Sequence, residues 1–329
     1  MTTSDPAVGE LSEGQVLRGI LDRLGPTHAE VGPGDDAAVL TAVDGRIVAT
    51  VDTLVHGPDF RLAWSSAFDL GWKAAAVNLA DVAAMGARPT ALLVALAMPD
   101  ETRLSFVTAL ADGLRAACEA LAPGCTVEGG DLAVSDTLTI AVTAIGTLDG
   151  AAPVLRGGAR PGDVVALAGE AGVAGRGLGI LFDRFRDAEG HPVPVDAERL
   201  RAGEAALIGA QLRPAPPIGL GPVAARAGAT AMMDVSDGLA LDASRMAEAS
   251  GITIDLAVDA LGDDPASALR GGEDHALLAA FPPGEPLPPG FRPIGQALAR
   301  GASPVLVDGV PFAGRGGWDP YQDWDAARG

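Results

Sequence analysis

Aspartates stand where hydrophobic segments stop, and that pattern limits how this chain can fold. Asp35 and Asp36 follow Gly32-Pro33-Gly34, Asp52 follows the run Arg46 to Val51, and Asp131 follows Gly129-Gly130. Asp234 and Asp237 close the string Met233-Asp234-Val235-Ser236-Asp237-Gly238, and Asp81 interrupts the alanine-rich stretch Ala74 to Ala84. Carboxylates set among Gly, Val and Ala fit poorly as solvated surface charges, and a buried one needs a compensating partner. A divalent cation is the economical partner, and hard cations such as magnesium prefer oxygen ligands. The fold is therefore expected to gather these acids into one cradle for metal ions. Magnesium so held usually carries a nucleotide polyphosphate.

Composition removes several other classes. The 329 residues, 48% of them hydrophobic, suffice for two domains of ordinary size. The longest apolar run, Leu92 to Met98, is too short to cross a bilayer, and Met1 to Asp5 lack the features of a signal peptide. A cytoplasmic protein without membrane contact is expected. A formal charge of −20 disfavours nucleic acid, which demands basic patches. An anionic substrate is still possible where bound cations invert the local charge. Glu10, Glu13, Glu119, Glu198 and Glu204 read as solubilising surface acids. Cys118 and Cys125 lack the partners of a zinc site and read as reduced, small hydrophobes. None of the four histidines is paired with Ser or Cys in a triad-like setting, which argues against nucleophilic catalysis. P-loop and protein-kinase signatures are absent.

The periodicity predicts helices over 12–24, 66–85, 101–121, 172–185, 197–210, 223–227 and 239–250. Strands are predicted over 37–41, 46–51, 90–98, 125–128, 137–148, 164–168, 230–233 and 252–258. Residues 53–63 and the acidic stretch 259–272 read as loops, and 281–293 as proline-rich. The turn-rich segment 149–163 is the best boundary, giving domains over 1–150 and 151–329. Without a strict βαβ rhythm, the class is α+β with two domains.

Each motif has a plainer reading. Gly34-Asp35-Asp36 and Gly129-Gly130-Asp131 alone suit turns or tight packing. Ser236 can be a helix cap, yet a helix start also points free N–H groups at an anion, and Asp234 and Asp237 around that turn can share metal ions bound to it. Lys73, the only lysine, shares an arc of about 140° with Asn78 and Asp81 on one helix. That arc suits a polar edge or a site. Asp69, four residues before Lys73, suits a surface ion pair. Gly271-Gly272-Glu273-Asp274 is either a loop or part of a site. Arg156 is either a linker residue or a phosphate clamp.

In order, Gly34 to Val39, Val51 to Val55, Lys73 to Ala87, Gly129 to Asp131, Arg156 to Asp163, Asp234 to Leu239 and Gly271 to Asp274 resemble the thiamine-monophosphate kinase family. Its superfamily includes aminoimidazole-ribonucleotide synthetase and selenophosphate synthetase. The string Asn78-Leu79-Ala80-Asp81-Val82-Ala83-Ala84-Met85-Gly86-Ala87 carries most of the specificity. The resemblance implies ATP-dependent phosphorylation of thiamine monophosphate to thiamine diphosphate. It also implies an N-terminal α/β domain that forms a homodimer through its strands, a C-terminal α+β domain, and nucleotide bound between the two. Asp36, Asp52, Asp81, Asp131, Asp234 and Asp237 would bind magnesium, with Asp81 and Asp237 indispensable for turnover. Gly130, Asp131, Arg156 and Ser236 would hold ATP. Glu273 and Trp318 would hold the thiamine part, the indole by stacking on a cationic ring. Val51 stands where the family has a small hydroxyl residue, and Asp59 stands at the substrate loop where a histidine is usual. Those departures leave open a different phosphorylated acceptor, or nucleotide or thiamine-phosphate binding without turnover. The reactive terminal cysteines of selenophosphate synthetase and of the hydrogenase-maturation dehydratase are missing.

Overall fold

The computed structural model describes residues 5–30, 38, 40–314 and 316–318. Asp35 and Asp36 lie outside the described residues, as do Ala37 and Val39 of the strand expected over 37–41; Ala38, Leu40 and Thr41 are described and are not in a strand. Among those described, the first half builds a four-stranded sheet from β1 (Val48–Val55), β2 (Arg88–Met98), β3 (Thr126–Val134) and β4 (Thr139–Thr147). Its order is β1-β4-β2-β3, with β2 and β3 parallel and the other neighbours antiparallel. Helices α1 (Glu13–Leu24), α2 (Ala67–Ala84) and α3 (Leu104–Leu121) belong to this half.

The second half builds a seven-stranded sheet in the order β11-β10-β7-β9-β5-β8-β6. Its strands are β5 (Val164–Ala168), β6 (Ala231–Val235), β7 (Ile252–Leu256), β8 (Ala276–Phe281), β9 (Phe291–Ala299), β10 (Val305–Val307) and β11 (Val310–Pro311). This half also holds α4 (Val173–Arg184), α5 (Glu204–Leu212), α6 (Leu220–Arg226), α7 (Leu239–Ser250) and α8 (Pro265–Arg270), of which α4 and α5 pack on each other. Helix α7 packs Leu239, Ala243 and Met246 on one face of the sheet, with Ile254 and Leu278. The other face meets α6 through Ala224, beside Met232 and Leu277. The fold is α+β with two domains, as expected.

Helix α2 joins the halves. It touches β1, β2 and β4 of the first sheet and β6 and β8 of the second. Its start is fixed by a reciprocal cap. Ser66 Oγ accepts from Asp69 N (3.2 Å), and Asp69 Oδ2 accepts from Ser66 N (3.0 Å). Beyond that cap the helix is apolar nearly all round, as a helix enclosed by protein must be. Asp69 pairs with Arg213 at 3.2 Å rather than with Lys73, so the expected surface ion pair does not form. Helices α2 and α3 approach backbone to backbone at two glycines. A Cβ on Gly71 would strike the Leu110 carbonyl, and one on Gly113 the Phe68 carbonyl.

Boundaries moved where strands outlast their apolar runs. β1 continues through Asp52 to Val55, into the expected loop, because β4 pairs with it residue by residue from Val48 to Val55. β3 runs through Gly129-Gly130-Asp131 to Val134, held by parallel pairing with β2. The acidic stretch contains α8, whose Asp264 cap accepts from Ser267 N (3.1 Å). Gly113→Ala should lower stability by roughly 3 kcal/mol through overpacking at the α2–α3 crossing. Thermal denaturation of the variant measures it.

Candidate active site

Each half presents acids to the seam that α2 occupies. Asp52 lies mid-strand on β1 with its side chain on the helix-covered face, level with buried Val142 of β4. The Asn78 side-chain oxygen accepts from Asp52 N (2.9 Å), tying this strand to α2. One turn further along, Asp81 Oδ2 accepts from Thr50 Oγ1 (2.9 Å). From the second sheet comes Asp234, the fourth residue of edge strand β6, with Asp237 in the turn that follows.

The four carboxylates feel one another. Burial pushes the Asp81 carboxyl up to about 7, and the charges of Asp234 and Asp52 push in the same direction. Asp52 is raised by burial, with Asp234, Asp237 and Glu273 adding to the effect. The fold supplies cations to some of these acids. His275 Nδ1 lies 3.1 Å from Asp234 Oδ2. Burial alone would lower the His275 pKa, but the bond and charge of Asp234, with Glu273 beyond, hold it above the usual value. Arg245 donates to Asp237 Oδ2 and to Asp242 Oδ1, both at 2.6 Å. Asp242, fully buried, also accepts from the backbone N–H groups of Asp237 (3.1 Å) and Gly238 (3.2 Å).

This turn is not capped as expected. The residue flanking α7 is Gly238, and Ser236 makes no cap bond. Ser236 O instead accepts from Glu273 N (2.7 Å), while Asp237 O accepts from Trp318 N (3.0 Å). Successive carbonyls thus seat Glu273 and Trp318 beside the acidic turn. Gly272 must lack a side chain there, since a Cβ would strike the Ser236 carbonyl. Glu273 and His275 both adopt left-handed backbone, with φ of 73° and 53°. Strain of this kind persists only where the surroundings enforce it. Here Asp274 enforces it, accepting from Gly172 N (2.6 Å) and Ala174 N (2.8 Å) at the start of α4. Lys73 forms an ion pair with Glu273. Burial would raise the Glu273 carboxyl, yet Lys73 and then His275 outweigh it and hold the pKa low.

Two cavities meet this cluster. One, of about 1020 Å³, is lined by Asp59, Lys73, Ser236, Asp237, Glu273 and Trp318, with Phe60, Trp64 and Phe182 on its apolar side. The other, of about 910 Å³, is lined by Thr50, Asp81, Arg156 and Asp234, with Ile47, Met85 and Met232 as apolar walls. Asp81 and Asp234 thus face one cavity, and Asp237 faces the other.

Gly130 and Asp131 stand apart. In the first sheet Asp52, Val142, Val94 and Gly130 form one row, so three strand spacings, about 14 Å, separate Asp52 from β3. Asp131 is level with Thr53, Ala141 and Ala95, on the sheet face opposite to that of Asp52, and is exposed. Asp52, Asp81, Asp234 and Asp237 converge, then, while Asp131 does not join them within the chain. His275, Asp242 and Arg245 escaped the sequence reading. The spacing of Asp242 and Arg245, three apart at the start of α7, was the available signal.

Among the described residues no three His, Cys, Asp or Glu side chains enclose an ion by themselves. The donor set nevertheless fits magnesium, which is held through one or two carboxylates while waters and substrate phosphates complete its octahedron.

Acids converging from two sheets between two cavities form a single polar site on a two-domain α+β fold. A model of the family described as AIR synthase related protein, N-terminal domain, matches residues 34–148. The thiamine-monophosphate kinase of Mycobacterium tuberculosis is 42% identical over 99% of this chain and 96% of its own length. That of Corynebacterium glutamicum is 40% identical, over 96% and 95%. A solved structure of AaThiL complexed with AMPPCP and TMP superposes with a TM-score of 0.72 at 30% identity, covering 93% of this chain and 96% of that one. The chain belongs to the thiamine-monophosphate kinase family.

Asp81 binds its proton more tightly folded than unfolded, so its contribution to metal-free stability falls as pH rises from near 4 to about 7. Asp81→Asn removes that fall. Its metal-free melting temperature should exceed that of the parent by several degrees at pH 7.5, with the gap closing toward pH 4, in calorimetry with chelator.

Proposed function

We propose that this protein transfers the γ-phosphoryl group of ATP to thiamine monophosphate, giving thiamine diphosphate and ADP. The observation that carries the reading is one acidic cluster set between two cavities of different lining. Arg156 and the apolar walls of the smaller cavity suit a nucleotide. Trp318, Glu273 and Asp59 in the larger suit a flat cationic ring. The likeness to AaThiL, complexed with AMPPCP and TMP, supports the same assignment.

The chemistry asks little of the chain beyond placement. The acceptor is a phosphate monoester whose second pKa of about 6 leaves it ionised at neutral pH, so its oxygen attacks without surrendering a proton. No general base is required. The obstacle is the approach of two anions, and magnesium bound here supplies the neutralising charge. Asp52, Asp81, Asp234 and Asp237 would hold it, with Asp36 from the undescribed segment. Arg245 and Asp242 keep the Asp237 turn in one geometry, and His275 keeps Asp234 in one rotamer. Arg156 and Ser236 grip nucleotide phosphate. Placement and charge compensation of this kind are the main source of rate in phosphoryl transfer.

The two domains are divided at the turn-rich segment, 1–150 and 151–329. The first forms a homodimer through its sheet. Support comes from the sheet face opposite α2, where Val51, Thr53 and Ala95 are exposed and Leu93, Ala141 and Thr143 half-buried. An apolar sheet face of this kind is a contact surface. A pairing there would also cover Asp131, giving it a ligand role across the dimer axis. No helix among the described residues is long and apolar enough to cross a membrane, and the protein works in the cytoplasm.

Thiamine diphosphate formation from ATP, magnesium and thiamine monophosphate tests the reading directly; ligand binding without product would overturn it. Trp318→Ala should raise the KM for thiamine monophosphate at least tenfold and leave the KM for ATP within twofold. Equal effects on both would remove the stacking role. Val51→Lys, 60% exposed on the open face at mid-length of edge strand β1, should convert a dimer to a monomer in light scattering. A monomeric parent would end the dimer proposal.

A further inference from the structure

Lys73 is the only lysine of the chain, and in a kinase a lone lysine invites assignment to the transferred phosphate. Its surroundings point elsewhere. It is 5% exposed, and its ammonium is committed to Glu273. The Gln211 amide braces it from α5. With its nitrogen donating to Ala174 O (3.1 Å), the Gln211 oxygen accepts from Lys73 Nζ (3.1 Å). Glu273 keeps 39% of its side chain exposed although it sits deep in the molecule, because it faces the larger cavity. One side of its carboxylate is thus spoken for by Lys73, and the other is open to a ligand. Asp81, at the nucleotide end, lies eight residues along α2, about 12 Å away. An extended lysine side chain anchored on Glu273 does not reach it.

We infer that Lys73, braced by Gln211, is a positioning residue for acceptor recognition, holding the Glu273 carboxylate toward the cationic ring bound beside Trp318, and takes no part in phosphate binding. The inference rests on the proposed acceptor being a cationic heteroaromatic phosphate. The brace matters because Asp59 lines the same cavity as Glu273. Without it, that carboxylate faces the half-buried Asp59, whose own charge repels it. The Lys73 charge offsets this repulsion and leaves the open side of Glu273 ionised for the ligand.

The test is steady-state kinetics of the full-length protein with ATP, magnesium and thiamine monophosphate. Lys73→Met should raise the acceptor KM at least tenfold, with kcat within threefold of the parent and the KM for ATP within twofold. Lys73→Arg, which keeps the charge, should recover most of the acceptor KM. A buried carboxylate left without its cation can prevent folding. The double variant Lys73→Gln/Glu273→Gln leaves no unpaired charge and should match Glu273→Gln alone, since the two residues act as one unit. A fall in kcat of a hundredfold or more at saturating acceptor, in Lys73→Met or in the double variant relative to Glu273→Gln, places the lysine on the phosphoryl group and overturns the inference. Equal rises in both KM values overturn it as well. A parent protein that makes no thiamine diphosphate sinks the proposed function itself, an outcome separate from either of these.

Discussion

Repulsion among four carboxylates at the seam between two sheets is the constraint from which the rest of the structure follows. Asp52 and Asp81 come from the first half of the chain, Asp234 and Asp237 from the second. Folding therefore brings like charges together across the boundary. Such an arrangement costs stability unless something offsets it; burial first, and then the charges of the neighbouring acids, raise the pKa values of Asp52 and Asp81. The second-half acids have cations of their own, His275 for Asp234 and Arg245 for Asp237. Among the described residues the first-half acids make no ion pair and feel only the more distant His275 charge; Asp81 accepts from Thr50, and Asn78 holds the Asp52 backbone. The unmet demand for positive charge thus lies on the side that faces the smaller cavity, where a nucleotide with magnesium would supply it.

The cations that are present also keep the site rigid. Asp242 does not face either cavity, yet it receives two backbone N–H groups of the Asp237 turn and the Arg245 guanidinium. A carboxylate with three donors in a buried position has one orientation. Asp274 does the same for the adjoining loop by capping α4, which forces Glu273 and His275 into left-handed backbone. Neither Asp242 nor Asp274 needs to touch substrate for the site to depend on it.

Much of this was legible in the sequence, and the failures have physical causes. The acids were visible because aspartate among Gly, Val and Ala is chemically out of place, and four of them do converge. Their placement after strands was misread. Asp52, Asp131 and Asp234 lie inside β1, β3 and β6, because pairing with a neighbouring strand carries the extended backbone past the end of the apolar run. A strand partner distant in sequence leaves no local mark. The same limit hid the face on which each side chain lies. Asp52 and Asp131 look alike as isolated motifs, yet the register of the sheet turns one toward α2 and the other toward the open face. Asp242 and Arg245 were missed because an acid and a base three apart on a helix usually form a solvated pair. Only their contact with the Asp237 turn separates them from that case.

Helix α2 explains how one chain sets the separation of the two cavities. Lys73 meets Glu273 at the larger cavity, Asn78 holds the backbone of Asp52 in the middle, and Asp81 faces the smaller cavity. Eight residues of α-helix fix the distance from first to last at about 12 Å. A loop carrying the same three side chains would let that distance drift, and in-line transfer tolerates little drift. The helix can serve as a ruler because it is enclosed by protein on nearly every side, including the two glycine crossings with α3. Its apolar sequence, which alone would suggest mere core, is therefore what holds its few polar residues at a fixed spacing.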